Sequence, residues 1–174
     1  WQEAVDVFAG LAGVRMERHT RLCNVLMQKA AEFREGERAA QLFEWMVEVE
    51  VPADKGTFDA LISAHVRAGA AEAALQAFEW MVAGRGTAPG FDPTVRPDTD
   101  TFNMLLASCH QAGQLEKALE VFAWMQGAGV HTSAETYETL IATVEIASFW
   151  DGVTAREERS KAGAGKPGGG EEAR

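Results

Sequence analysis

The chain repeats itself. Residues 57 to 81 lie under residues 101 to 125 with eleven identities in twenty-five, where ordinary residue usage gives about two. Thr57/Thr101, Phe58/Phe102, Leu61/Leu105, Gly69/Gly113, Leu75/Leu119, Phe78/Phe122, Trp80/Trp124 and Met81/Met125 carry most of that agreement. Moving the frame back by 35 brings Phe43, Glu44, Trp45 and Met46 under Phe78, Glu79, Trp80 and Met81, and moving it forward by 35 brings Thr136 and Tyr137 under Thr101 and Phe102. The period is 35 except between Thr57 and Thr101, where it is 44, so nine residues are inserted. Self-similarity at such a period means that the fold is an array of small stacked units.

Each unit reads as two helices. Phe102, Leu105, Leu106 and Cys109 stand at i, i+3, i+4 and i+7, and Ala118, Val121, Phe122 and Met125 repeat that spacing. These are the apolar stripes of two amphipathic helices, with Gly113 marking the turn between them. No strand alternation is present. One hairpin of this size cannot bury both stripes, so neighbours must stack, and the expected architecture is an all-α, right-handed α-solenoid of 35-residue helical hairpins. The organisation read from the frame is residues 1–19 as the second helix of a truncated repeat, repeats at 20–54, 55–98 and 99–133, and a partial repeat at 134–160. The insertion is placed near 84–98, around Pro89, Pro93 and Pro97, and 161–174 is read as a disordered polar tail rich in glycine.

Composition narrows the function. With 26 acidic against 16 basic residues the net charge is −10, which argues against a polybasic groove for nucleic acid or anionic lipid. Apolar runs are all interrupted well short of a membrane span, so no membrane partner is expected. Cys23 and Cys109 are 86 residues apart, with no second thiol near either to make a disulfide framework or a metal site. His65 and His110 lack the carboxylate or thiol companions that a metal centre needs. No nucleophile, base or phosphate-loop pattern is legible either. The expectation is therefore a binding module that is not an enzyme, without cofactor, metal or small-molecule substrate.

A 35-residue hairpin that opens with Thr-Phe-Asn-x-Leu-Leu, passes through Ala-Gly and Ala-Leu-x-x-Phe-x-x-Met, and closes with Pro-Asp resembles the pentatricopeptide repeat family. The resemblance covers about residues 1 to 150. It implies single-stranded RNA binding in a mitochondrion or chloroplast, in RNA processing, with one base read per repeat along the face made by the first helices. It also implies a longer array than this chain holds, with any targeting segment lying outside it.

Carried over by resemblance, the base-reading residues are Asn24 with Asp54, Asp59 with Asp98, and Asn103 with Ser133. A carboxamide donates and accepts, which suits a pyrimidine edge, whereas two carboxylates only accept, which suits the donors of guanine. Asn24 with Asp54 reads as uracil-preferring, Asn103 with Ser133 as pyrimidine-preferring, and Asp59 with Asp98 as weakly guanine-preferring. Arg21 and Arg67 are the candidate phosphate contacts. The family's aliphatic column that sandwiches each base is filled here by Arg21, Gly56, Asp100 and Glu135, and the face is acidic, so weak binding by this segment alone is expected. Trp45, Trp80 and Trp124 share one column, open both to packing against the next hairpin and to a protein partner. The alternative function is a protein–protein interaction scaffold in an organellar assembly.

Overall fold

The computed structural model describes the backbone of residues 16–83 and 95–164, and the side chains of residues 20–82 and 95–149. Among these residues seven helices follow one another: α1 (Met16–Glu32), α2 (Gly36–Glu48), α3 (Lys55–Ala68), α4 (Ala71–Ala83), α5 (Thr99–Gln111), α6 (Leu115–Gly127) and α7 (Ala134–Ala164). No strand occurs among the described residues. α1 packs on α2 and α3, α3 on α4 and α5, and α5 on α6 and α7, so first helices line up beside one another and second helices form the other layer. This is an all-α helical-repeat solenoid.

The periodic stripes are the core. Phe102, Leu105, Leu106 and Cys109 of α5 are essentially inaccessible, as are Phe58, Leu61 and Ile62 of α3 and Ala118, Val121 and Met125 of α6. α3 also buries Ala60, Ala64 and Val66, because helices pack on it from α1, α2, α4 and α5. Burial pushes both thiols up, Cys23 to about 11, which keeps them protonated and unreactive at neutral pH.

The repeats are joined by rings. Phe43 packs against Phe58 at 5.5 Å and stacks on Trp80 at 5.7 Å, and Phe78 meets Phe102 at 5.2 Å and Trp124 at 5.9 Å. Phe43 and Phe78 thus each touch one ring from each helix of the following hairpin. Phe43 and Phe78 are buried accordingly. Phe122, expected to be equally buried, is only half-buried. It touches Tyr137 at 5.9 Å, but the next residue in the tryptophan column is Arg159, so the third cluster has no such ring to receive.

Boundaries follow the capping chemistry. α3 begins behind Asp54 and α5 behind Asp98, both in extended backbone and both in reciprocal boxes with Thr57 and Thr101. The same column ahead of Thr20 holds His19, which is no cap, and α1 runs in from Met16, so residues 16–19 join the first helix rather than the preceding second one. The remainder of the 1–19 segment lies outside the described residues, as do 84–94 of the insertion. At the other end α7 runs on through Ala164, into the segment read as a polar tail, and 165–174 lie outside the described residues. Gly69 and Gly113 turn the chain between paired helices at φ 76° and 65°, and Arg34 makes the equivalent turn at φ 59° without a glycine. A turn there needs an amphipathic helix to pack back. After Ser148 the columns of Ala118, Val121, Phe122 and Met125 are continued by Val153, Arg156, Glu157 and Ser160, so nothing drives the return.

His65 occupies the Cys109 column and is buried. A Cβ on Gly36 would stand 2.9 Å from its Nδ1, so the start of α2 approaches the ring closely because residue 36 has no side chain. Burial lowers the imidazole's pKa below its ordinary value, with Glu37 pulling weakly the other way. The unfolded chain therefore takes up the proton first. Stability from a neutral His65 is complete above about pH 6.5 and drains away as pH falls from there through the folded value. Urea melts at pH 7.5 and 5.5 should show this loss, and His65→Gln should lose less between the two.

Candidate nucleic-acid interface

Three side-chain clusters of one design stand at the starts of α3, α5 and α7. In the first, Asn24 of α1 donates through Nδ2 to Asp54 Oδ1 at 2.9 Å, while Thr57 Oγ1 donates to Asn24 Oδ1 at 2.7 Å. Thr57 N also donates to Asp54 Oδ1 at 2.9 Å. The residue read as the last of a repeat is thus the N-cap of the next first helix, and its cap oxygen holds the polar residue of the helix before. Among the described residues, one Asn24 amide hydrogen and Asp54 Oδ2 remain without partners. Gly56 keeps this cluster uncovered, since a Cβ there would lie 3.0 Å from Asn24 Nδ2.

The third cluster repeats the bonds but closes the amide. Asn103 Nδ2 donates to Ser133 Oγ at 3.2 Å and to Glu135 Oε2 at 3.1 Å, and Thr136 Oγ1 donates to Asn103 Oδ1 at 2.7 Å. Both amide hydrogens are used, and Asn103 is 8% exposed. Glu135 stands in the column that Gly56 leaves empty.

The second cluster has two carboxylates where the others have an amide donor. Thr101 Oγ1 lies 2.9 Å from Asp59 Oδ1 and 3.0 Å from Asp98 Oδ1. Asp59 and Asp98 cannot bond to each other as anions, and Lys55 stands between them, its Nζ 2.5 Å from Asp59 Oδ2 and 2.9 Å from Asp98 Oδ2. Burial alone would push the Asp98 carboxyl up, but the Lys55 ammonium and the Thr101 donors hold it below the ordinary range. On Lys55 burial works downward, and its hydrogen bonds and charge pairing with Asp59 and Asp98 outweigh it and raise the ammonium's pKa.

Column spacing pairs these six residues but does not reveal what ties them: Thr57, Thr101 and Thr136, and the bridge by Lys55. The signal for the first was an Asp or Ser three residues ahead of each Thr; for the second, it was a Lys four residues ahead of Asp59. Arg21 and Arg67 are exposed. Trp80 and Trp124 stack on the Phe of the preceding repeat, which gives the tryptophan column a role between hairpins. Trp45 is half-buried, and Trp124 keeps 41% of its surface exposed. Among the described residues no group of three His, Cys, Asp or Glu side chains could hold a metal ion, and no helix is long and apolar enough to cross a membrane.

Models of the pentatricopeptide repeat match the chain twice, over residues 56–82 as a PPR repeat and over residues 97–144 as the PPR repeat family. The chain carries pentatricopeptide repeats. Both matches begin beside the capping clusters and span paired helices of the solenoid, α3 with α4 and α5 with α6. The solved crystal structure of the pentatricopeptide repeat protein PPR10 from maize is similar in fold, with a TM-score of 0.63 over 80% of this chain at 18% identity. The chain spans 19% of the length of that one. No curated protein matches it in sequence.

Proposed function

We propose that this solenoid segment binds single-stranded RNA, as part of a longer array serving organellar RNA metabolism, and that Asn24 with Asp54 is its most open base-reading position. The observation that carries this reading is the recurrence of one polar cluster at the heads of α3, α5 and α7, with unpartnered donor and acceptor atoms at the Asn24 cluster. A free amide hydrogen beside a carboxylate oxygen matches the alternating acceptor and donor of a uracil edge. Asn103, closed by Glu135, contributes less.

The test is fluorescence anisotropy with uridine-rich octamers. Asn24→Ala is expected to weaken binding by roughly tenfold and to flatten base preference at one position, as losing one bidentate contact does. Asn103→Ala should change affinity less than Asn24→Ala does. With two basic residues on the face, the log–log salt slope should be near −1.4, at about −0.7 for each phosphate neutralised. Equal binding of every sequence by wild type and Asn24→Ala would refute base reading. The second reading, a protein–protein scaffold in an organellar assembly, is favoured by the exposed Tyr137, Ile141 and Val144 along α7 and by the net charge of −10. No RNA binding at low salt would favour it.

A further inference from the structure

We infer that this chain self-associates through α7: two copies pack their exposed strips of Tyr137, Ile141 and Val144 antiparallel, each α7 covering the other where a second helix would sit. The columns of that strip hold Phe102, Leu106 and Cys109 in α5 and Phe58, Ile62 and His65 in α3, and all six are buried. In α7 the same columns are open: Tyr137 is 49%, Ile141 59% and Val144 44% exposed. α3 and α5 are each followed by a second helix that turns back and packs on them, whereas α7 runs on through Ala164. Leu140, one column away, is buried in the core, so α7 docks on the solenoid by one side and leaves the second-helix side uncovered. Phe122 borders the strip, its ring 5.9 Å from that of Tyr137, and the open face thereby continues the seam between α6 and α7.

An apolar strip left open on a helix marks a protein contact. The ten residues from Gly165 to Arg174 are glycine, charged residues, one proline and Ala173, so they bring no apolar stripe to cover it. The spacing i, i+4, i+7 is that of a seam between two helices lying side by side. Along α7 the same columns continue as Ser148, Gly152 and Ala155, which are small. A two-fold axis beside Val144 and Ser148 therefore sets Tyr137 and Ile141 of one copy level with Ala155 and Gly152 of the other, large residues against small. Pairing closed by such an axis is the commonest association of identical chains. Charge fixes the direction. The first half of α7 carries Glu135, Glu138 and Glu145 and no basic residue, while the second half carries Arg156, Arg159 and Lys161 beside Asp151, Glu157 and Glu158. Antiparallel helices set the acidic half against the balanced one and oppose their macrodipoles, whereas parallel helices would set the two acidic halves together.

The experiment is sedimentation velocity of the full chain across the micromolar range, without RNA, so its result is independent of the RNA reading. Wild type is expected to move from the mass of one chain to that of two as concentration rises. Ile141→Glu should weaken the association by roughly tenfold or more, because it places an unpaired charge in an apolar contact. In dilute solution its melting temperature should match that of wild type, since Ile141 is exposed in the single chain. Phe33→Glu, which removes an exposed ring in the turn after α1, should leave the association intact. Oxidation of a mixture of Val144→Cys and Ser148→Cys supplies a second readout. The antiparallel arrangement predicts a disulfide between the two variants, and the native Cys23 and Cys109 are buried and do not compete. A wild type that keeps the mass of one chain throughout would leave the strip to a different protein and overturn the proposal. So would an Ile141→Glu protein that pairs as tightly as wild type, or association lost in Phe33→Glu instead. Cross-links of each cysteine variant with itself and none between the two would overturn the antiparallel pairing.

Discussion

Replacing Phe78 by alanine is expected to cost about 3 to 5 kcal/mol of folding stability, the range for deleting a buried ring. Phe78 is 4% exposed and touches Phe102 of α5 and Trp124 of α6. Its loss therefore opens a cavity between two hairpins as well as inside one. In a solenoid the interface between neighbours carries much of the stability, and weakening one uncouples the array at that point. For a chain of this size the loss corresponds to a fall in melting temperature of about 6 to 20 °C. Phe122→Ala supplies the internal comparison. Phe122 is half-buried and its cluster holds one ring fewer, so roughly 1 to 2 kcal/mol is expected there. Urea melts of the two variants check the pair, and equal losses would contradict the ring-to-ring coupling that the repeats show.

Most of the architecture was legible because the solenoid is periodic in the same way as its sequence. The stripe Phe102, Leu105, Leu106 and Cys109 could be read as one buried face from spacing alone, and it is buried in the folded protein. Phe122 could not be read in that way. Its burial depends on a residue 35 positions further on, and the chain has Arg159 where the frame asks for tryptophan. The extent of α7 was likewise hidden, since Arg34 turns without glycine and only the absence of an apolar stripe after Ser148 explains why the helix continues.

The candidate site was half legible. Resemblance picked out Asn24, Asp54, Asp59, Asp98, Asn103 and Ser133 by column, and the structure brings Asn24 to Asp54 and Asn103 to Ser133 within hydrogen-bond distance. What the columns could not show is that the three positions differ in availability. Glu135 consumes the second hydrogen of Asn103, Lys55 holds both Asp59 and Asp98, and Gly56 leaves Asn24 open. Those differences come from residues one or two places into each first helix. They depend on side-chain reach across repeats, which a column-by-column reading treats as independent.

Thr57 is where folding and recognition meet, and Thr57→Val should separate the two. The residue is fully buried, and its hydroxyl lies 2.7 Å from Asn24 Oδ1, 3.0 Å from Asp54 Oδ1 and 3.1 Å from Asp54 N. Valine has nearly the same shape, so packing survives while the hydroxyl does not. α3 then loses one half of its capping box, and Asn24 Oδ1 and the Asp54 N–H lose their partners. The expected cost is about 1 to 3 kcal/mol, the sum of a weakened cap and unpaired polar groups in a half-buried setting. Thr57→Ser, which keeps the hydroxyl, should cost less. The effect on RNA is expected to exceed what stability explains: with its carbonyl no longer held, the Asn24 amide can rotate, and base preference at its position should fall even where Thr57→Val is fully folded. Circular dichroism fixes the folded fraction, and anisotropy with uridine-rich octamers substituted position by position reads the preference. A Thr57→Val protein that is as stable as wild type, or that keeps full discrimination once folded, would mean that the hydroxyl neither caps α3 nor orients Asn24.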